Sequence, residues 1–402
     1  MAGKEILFIS GSIGLGHVLR DLAIAVELRR QIPGVRISWL AASPASDRLE
    51  EAGERLLPEA AKFVEDSAAA EDAAKDGFRL NLLKYLSSAM PAWKQNVRAF
   101  SQALGRCEFD LIVADEAYEI AMALRKGQVS TDAHFIMICD FFGNVSMSSN
   151  PLEMCMTYLW NRQWAKVRRD GTGKQFTQLF IGEPEDIPDR RLGFLLPNAR
   201  EAARQACEFV GYILPFEPQR YSNPSQVKAE LGYGPEPLVI CAVGGTAVGG
   251  ELLELCGRAY GIMKVQTPDL RMLCVCGPRL AGEALRLPEG LEVRGYVPEL
   301  YKHLAASDLA IVQAGGTTTL ELTALRRPFI YFPLEGHFEQ QVHVSGRLER
   351  HGAGVRMNFR ETTPEGLAKR VASLLGKEVE PSSIPIDGAR RAAEIVASAL
   401  PV

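Results

Sequence analysis

The sequence predicts an α/β protein built from two doubly wound domains, and three observations lead there. Short apolar runs rich in β-branched residues alternate with amphipathic stretches at helical spacing along most of the chain. The alternation breaks once, near residues 214–224, and then resumes. At 402 residues the chain is longer than one hydrophobic core usually serves. Repeated strand–helix units imply parallel sheets covered on both faces. Two such Rossmann-like domains are expected to face a central cleft at the carboxyl ends of their strands, where folds of this kind bind ligands.

In chain order, Ile6–Ser10 reads as a buried strand and His17–Gln31 as an amphipathic helix. Arg36–Leu40 is the next strand. A long helical region, Gly77–Leu104, carries Phe78, Leu82, Tyr85, Leu86 and Trp93, and Phe109–Ala114 and Phe135–Cys139 are further strands. Pro215, Pro218 and Pro224 mark an aperiodic linker. Beyond it, strands are expected at Leu238–Val243, Arg271–Cys276, Leu309–Val312 and Phe329–Phe332. Helices are expected at Glu251–Gln266, Thr317–Leu325, Gln340–Arg350, Thr363–Leu375 and Gly388–Ala399. The domain boundaries are therefore set at 1–213, a linker at 214–224, and 225–385, with a last helix in 386–402 that can pack back on the first domain.

Composition narrows the class. Apolar residues make up 47% and charged residues 23%, as in ordinary globular proteins, and a net charge of −4 gives no sign of a nucleic-acid binder. The basic run Lys166-Val167-Arg168-Arg169 is read as a solvated face. No signal peptide and no membrane-spanning apolar stretch is read. The eight cysteines form no CxxC pair and no Cys/His metal spacing, and Cys274 and Cys276 are expected in the core. A reduced, cytoplasmic setting is expected.

The chemistry concentrates between Val312 and Val342. An apolar run ends in Gly315-Gly316-Thr317-Thr318-Thr319 and a helix begins. Glycines let backbone N–H groups approach a ligand, and the helix points its positive end at the same place. That is an anion site, suited to a diphosphate. Glu321, one turn further, can accept two hydrogen bonds from a ribose diol. Glu339, Gln340 and Gln341 offer donors and acceptors to a sugar. Gly245 and Thr246 in a second turn can add to the diphosphate contacts, and Tyr296, beside Val297, can stack on a base.

A first turn, Gly11-Ser12-Ile13-Gly14-Leu15-Gly16-His17, also joins a strand to a helix. It lacks the dinucleotide spacing, and the second strand ends Trp39-Leu40-Ala41 without an acid, so NAD is not expected. His17 lies in the first helical turn, where the positive helix end favours neutral imidazole, as a general base requires. Asp115 is the first candidate to orient it, with Glu116 and Asp140 as rivals. No Asp-x-Asp pair follows a strand, so no metal is expected, and Glu183, Glu185, Asp186 and Asp189 read as a solvated loop. Tyr85, Trp93, Asp140, Phe141 and Phe142 are candidates to line an acceptor pocket, against ordinary core packing.

On these motifs the chain resembles the GT-B-fold nucleotide-sugar glycosyltransferases. It is similar both to the family 1 UDP-glycosyltransferases and to the peptidoglycan N-acetylglucosaminyltransferase that acts on a lipid carrier. Gly16-His17-Val18-Leu19-Arg20 is similar to their G-H-x-x-P motif, and Val113-Ala114-Asp115 to the segment carrying the partner aspartate. Gln313 through Glu321 resembles the donor signature, and Tyr296 stands where a base-stacking Trp is found. Arg20 replaces the motif's proline, Gln313 a diphosphate-binding histidine, and Thr317 an asparagine.

The resemblance implies an inverting, metal-independent transfer of a sugar from a nucleotide sugar, a UDP-sugar first, to an acceptor hydroxyl. His17 and Asp115 would be catalytic. Gly16, Gly245, Thr246, Tyr296, Val297, Gln313, Gly315, Gly316, Thr317, Thr318, Glu321, Glu339, Gln340 and Gln341 would hold the donor. No cofactor is expected. A lipid acceptor would bring peripheral membrane contact. A non-hydrolysing UDP-N-acetylglucosamine 2-epimerase and a non-catalytic nucleotide-sugar sensor are the alternatives.

Overall fold

Thirteen strands form two sheets in the computed structural model, which describes residues 3–11, 15–74, 78–166 and 176–401. Ser12, Ile13 and Gly14 of the first glycine turn, Gly77 at the expected start of the long helix, and Val167–Arg169 of the basic run lie outside the described residues.

The first unit comprises residues 1–69, 82–215 and 385–402. Its strands are β1 (Glu5–Ile9), β2 (Arg36–Leu40), β3 (Arg55–Leu56), β4 (Leu111–Asp115), β5 (His134–Cys139), β6 (Phe176–Ile181) and β7 (Cys207–Gly211), in the order β3-β2-β1-β4-β5-β6-β7. Every pairing is parallel. Alternation along β1 sends Ile6 and Phe8 to one face and Leu7 and Ile9 to the other, and each pair joins its own apolar cluster. The last helix, Gly388–Ser398, buries Ala392, Ala393 and Val396 in the cluster that also holds Val18, Ile24 and Leu28 of the first helix, Gly16–Gln31.

The second unit comprises residues 70–81 and 216–384. Its strands are β8 (Leu238–Ala242), β9 (Arg271–Val275), β10 (Glu292–Arg294), β11 (Leu309–Gln313), β12 (Phe329–Phe332) and β13 (Val355–Arg356), ordered β10-β9-β8-β11-β12-β13 and again all parallel. In each sheet the strand order reverses beside the unit's first strand, between β1 and β4 and between β8 and β11. A crevice opens at such a point. Cys274 and Cys276 are fully buried here, and all eight cysteines are free.

Two departures from the sequence expectations matter. The helix expected at Gln340–Arg350 is a π-helical turn, Glu339–Val344, followed by an α-helix, Ser345–His351. Residues 70–81, expected inside the first domain, are built into the second unit. The reason is packing. Phe78 is 3% exposed, sits in the cluster with Phe332 and Leu334, and stacks on Phe359 at 4.7 Å between ring centroids. Backbone bonds fasten the same stretch, with Leu80 N–H donating to Glu335 O at 2.6 Å and Glu335 N–H to Phe78 O at 3.2 Å. Gly336 (φ 76°) has to be glycine, since a Cβ would lie 2.2 Å from Leu80 O. Phe78→Ala is expected to lower the unfolding free energy of the second unit by about 3–5 kcal/mol in urea titrations. A change below about 0.5 kcal/mol would show that the segment is not part of that core.

Candidate active site

In the first unit, β1 delivers the chain to Gly11, and the helix Gly16–Gln31 places His17 in its first turn. Gly11 leaves room for that ring: a Cβ there would lie 2.9 Å from His17 Cγ, 3.0 Å from Nδ1 and 3.0 Å from Asp115 O. β4 pairs with β1, so Asp115 at its end reaches the same spot, with Oδ1 3.3 Å from His17 Nδ1.

Arg20 stands in that contact as well. Its Nε donates to Asp115 Oδ2 at 2.6 Å, one terminal nitrogen to Asp115 Oδ1 at 2.5 Å, and the other to Asp140 Oδ2 at 2.9 Å. The nitrogen bonded to Asp115 Oδ1 is also 2.9 Å from His17 Nδ1. Asp115 is thus primarily the partner of Arg20, and Asp140 meets the group through Arg20. Burial pushes both carboxyls up, but the Arg20 charge outweighs it: Asp115 lies well below the usual carboxylate range and Asp140 at about 2. Sequence reasoning noted Arg20 only as a departure from a motif. Its position three residues beyond His17, on one helix face, was the available signal.

The expected acceptor residues divide. Tyr85 OH and Trp93 Nε1 converge on Asp66 Oδ2, donating at 2.6 and 3.1 Å. Nearby, Glu119 accepts from Asn96 Nδ2 at 3.2 Å, and burial raises its carboxyl to about 7. Neither Asp66 nor Glu119 was singled out from the sequence. Phe141 packs against Tyr118 and Trp164. Phe142 corrects the expectation: at 1% exposure it is core, clustered with Ile187, Leu192 and Ala199. In the acidic loop, Arg204 pairs with Glu185 and Arg200 with Asp189, while Asp186 accepts from Tyr212 OH.

In the second unit, β11 ends at Gln313 and the helix Gly316–Ala324 starts after Gly315. No side chain caps that start, so its first N–H groups are left for another partner. Arg347 holds the turn from the following helix, donating to Gly316 O at 2.8 Å and approaching Thr319 Oγ1 at 3.4 Å. Glu321 is buried, and no described group hydrogen-bonds its carboxylate. Burial alone raises it to about 8.

The turn after β8 holds Gly245 and Thr246, and its Ala247 N–H donates to Glu71 Oε1 at 2.9 Å. Arg279 grips the same carboxylate at 2.6 and 3.1 Å. Burial works against its charge, but these bonds keep the Glu71 carboxyl below its usual range. Tyr296, after β10, is 40% exposed, and Val297 is buried. Gln340 and Gln341, expected to face a sugar, bind the chain itself. Gln340 Oε1 accepts from Leu334 N–H at 2.8 Å. Gln341 Nε2 donates to Pro333 O and Leu334 O at 3.1 and 3.2 Å, and its Oε1 accepts from Arg356. The glutamines thus satisfy backbone groups of the loop after β12, although Leu334 O also accepts from His337 N–H at 3.2 Å.

Two measurements probe these placements. Gly11→Ala forces His17 or the Asp115 carbonyl to move, with an expected loss of about 1–3 kcal/mol in unfolding free energy; a neutral variant would contradict the tight packing. Glu321 keeps its proton in the folded state up to about pH 8, whereas the unfolded group ionises near pH 4.3. Its burial therefore destabilises the fold increasingly as pH rises between those values. Glu321→Gln should stabilise the protein little near pH 4 and most above pH 8. A gain that does not grow with pH would argue that the carboxylate is solvated or paired.

Residues 239–392 match the glycosyltransferase family 28 C-terminal domain. Over 159 residues the chain is 26% identical to the UDP-N-acetylglucosamine–N-acetylmuramyl-(pentapeptide) pyrophosphoryl-undecaprenol N-acetylglucosamine transferase of Carboxydothermus hydrogenoformans, covering 38% of this chain and 43% of that one. It is 28% identical over 195 residues to an uncharacterized glycosyltransferase of Methanopyrus kandleri, covering 48% of this chain and 54% of the relative. The chain thus spans about half the length of these two relatives. A further uncharacterized glycosyltransferase, from Methanosarcina acetivorans, is 23% identical over 386 residues, 93% of this chain and 90% of its own length. The crystal structure of the glycotransferase of kitacinnamycin superposes with a TM-score of 0.60 at 16% identity, covering all of both chains. That of Acinetobacter baumannii MurG does so with a TM-score of 0.53 at 17% identity, covering 98% of this chain and 99% of the other. At such identities the likeness is one of fold. The chain has the GT-B fold, and its residues 239–392 are similar to the glycosyltransferase family 28 C-terminal domain.

Proposed function

We propose that the protein is an inverting glycosyltransferase that uses a nucleoside-diphosphate sugar, with UDP as the nucleotide, and an acceptor hydroxyl. One observation carries this reading. The uncapped helix start at Gly315–Thr318 lies one turn before a buried carboxylate, Glu321, that no described group satisfies. Free N–H groups at a helix start suit a diphosphate. An acceptor-only carboxylate one turn on suits the two hydroxyls of a ribose. UDP is taken from the donor in the bacterial relative's name.

In this reading the second unit holds the donor and the first supplies the chemistry on the acceptor. His17 takes the proton of the acceptor hydroxyl. The oxygen forms its bond to the anomeric carbon on the face opposite the diphosphate, the carbon–oxygen bond to the diphosphate breaks, and the electron pair leaves with UDP. N–H groups at Gly316–Thr318 face the charge that develops on the leaving diphosphate. We assign that role to backbone dipoles and not to a metal, so turnover is expected to persist in EDTA. Gln340 and Gln341 would have to release the backbone of the loop after β12 before contacting a sugar. Their assignment to the donor is therefore the costliest part of the reading.

Calorimetric titration with UDP, dTDP, GDP and NAD tests the donor site. UDP should bind without metal, weaken on Glu321→Ala, and tighten as pH rises toward about 8, because ribose hydroxyls bind the ionised carboxylate and binding expels its proton. Binding of none of the diphosphates, or a preference for NAD, refutes the donor assignment. His17→Ala should keep UDP affinity and lose about 10²–10⁴ in turnover. Undiminished turnover removes the base role. UDP release that requires an added alcohol separates transfer from epimerisation.

A further inference from the structure

The contact between Arg20 and His17 has a direction that chemistry fixes. A guanidinium is always charged and carries only donors. Its terminal nitrogen lies 2.9 Å from His17 Nδ1. Were Nδ1 protonated, two N–H groups would point at each other across that distance. Nδ1 must therefore be the acceptor, and the ring proton of a neutral His17 sits on Nε2. The competing arrangement, Nδ1–H donating to Asp115 Oδ1, has a longer 3.3 Å separation, and that oxygen already receives Arg20 at 2.5 Å.

The surrounding groups hold Arg20 in place. Asp115 at the end of β4 and Asp140 after β5 bind three of its N–H groups, and Glu116 adds a further negative charge. Asp21, on the same helix, is buried next to Asp115. Burial and that neighbouring charge raise its carboxyl well above the usual range. Two buried carboxylates keep the guanidinium in the site, and its contact with Nδ1 is the one it can give up while staying bound to them. Losing it would strand both charges in the interior.

We propose that Arg20 is the positioning residue of this site: it holds His17 in the Nε2–H tautomer and so withholds the lone pair that a general base at Nε2 needs. In a histidine–aspartate pair without such a residue, the carboxylate would take Nδ1–H and leave Nε2 free to accept a proton. Here the ring becomes base-competent only when Arg20 lets go of Nδ1. A donor sugar bound without an acceptor is then protected from a water molecule activated by His17. This protective role rests on the proposed base function of His17, whereas the tautomer does not.

Long-range proton–nitrogen correlation spectra of the imidazole rings test the proposal. The chain has six histidines, so the signals of His17 are assigned by their loss in His17→Gln. Wild-type protein at neutral pH should show Nε2 protonated and Nδ1 bare. Arg20→Met should move the proton to Nδ1, where Asp115 is the remaining partner, and raise acceptor-independent release of UDP from UDP-sugar by ~10- to 100-fold, the strength of a charged hydrogen bond. Arg20→Lys, which keeps a charge between the two aspartates, guards against loss of folding and should change both readouts less. A protonated Nδ1 in the wild type, or an unchanged ring in a folded Arg20→Met variant, overturns the proposal. If the tautomer is as expected but His17→Gln transfers sugar at full rate, the hold on the ring stands and the base function of His17 is what fails.

Discussion

A parallel strand cannot be followed directly by its neighbour, so each strand in these two sheets passes the chain to a crossover that starts at the same sheet edge. Everything of chemical interest hangs on that constraint. Gly11 and Asp140 follow β1 and β5 and Asp115 ends β4, three adjacent strands, and they gather around the first turn of one helix. Gln313 ends β11 and Gly315 follows it, and the turn at Gly245 follows β8, again a neighbour. The reversal of strand order opens the crevice, and pairing register decides which side chains stand at its lip.

The two units handle a buried carboxylate in opposite ways. Asp115 is fully buried and stays ionised because a guanidinium binds it through two nitrogens. Glu321 is also buried but has no such partner, so it keeps its proton until mildly alkaline conditions. The first arrangement is self-contained and needs no ligand to be stable. The second has no described hydrogen-bond partner for its carboxylate, which leaves those oxygens for a group that comes from outside. A similar contrast separates the two glycine turns of the second unit. The one before Glu321 has no side-chain cap, whereas the one after β8 has the Glu71 carboxylate on its Ala247 N–H.

Much of the architecture could be read from the residues. Strands built from unbroken apolar and aromatic residues, such as Leu238–Ala242 and Phe329–Phe332, stand out because both faces are buried. Phe176–Ile181 and Cys207–Gly211 did not, since Thr177, Gln178 and Glu208 interrupt the apolar pattern at the sheet margin. The strands β10 and β13 have too few residues to show any period. Within the sites, glycine turns and the acids after strands were visible because spacing alone marks them. What escaped was pairing at long range. Nothing local in the sequence says that Arg20 will meet an aspartate 95 positions away. Nor does it say that Phe78 will stack on Phe359, or that two glutamines beside a sugar-like motif will bind their own backbone.

The route of the chain has a consequence for recombination. It passes from the first unit to the second after residue 69, returns after 81, leaves again after 215 and comes back at 385. Each unit is therefore discontinuous in the gene. A hybrid made by joining another protein's donor half at Pro215 would keep Phe78 and Glu71 but replace the core and the glycine turn that they serve. It would also lose the final helix that covers the first sheet. Exchange of specificities by splicing at a single junction is closed to this chain, and a workable graft has to carry residues 70–81 with the half they serve.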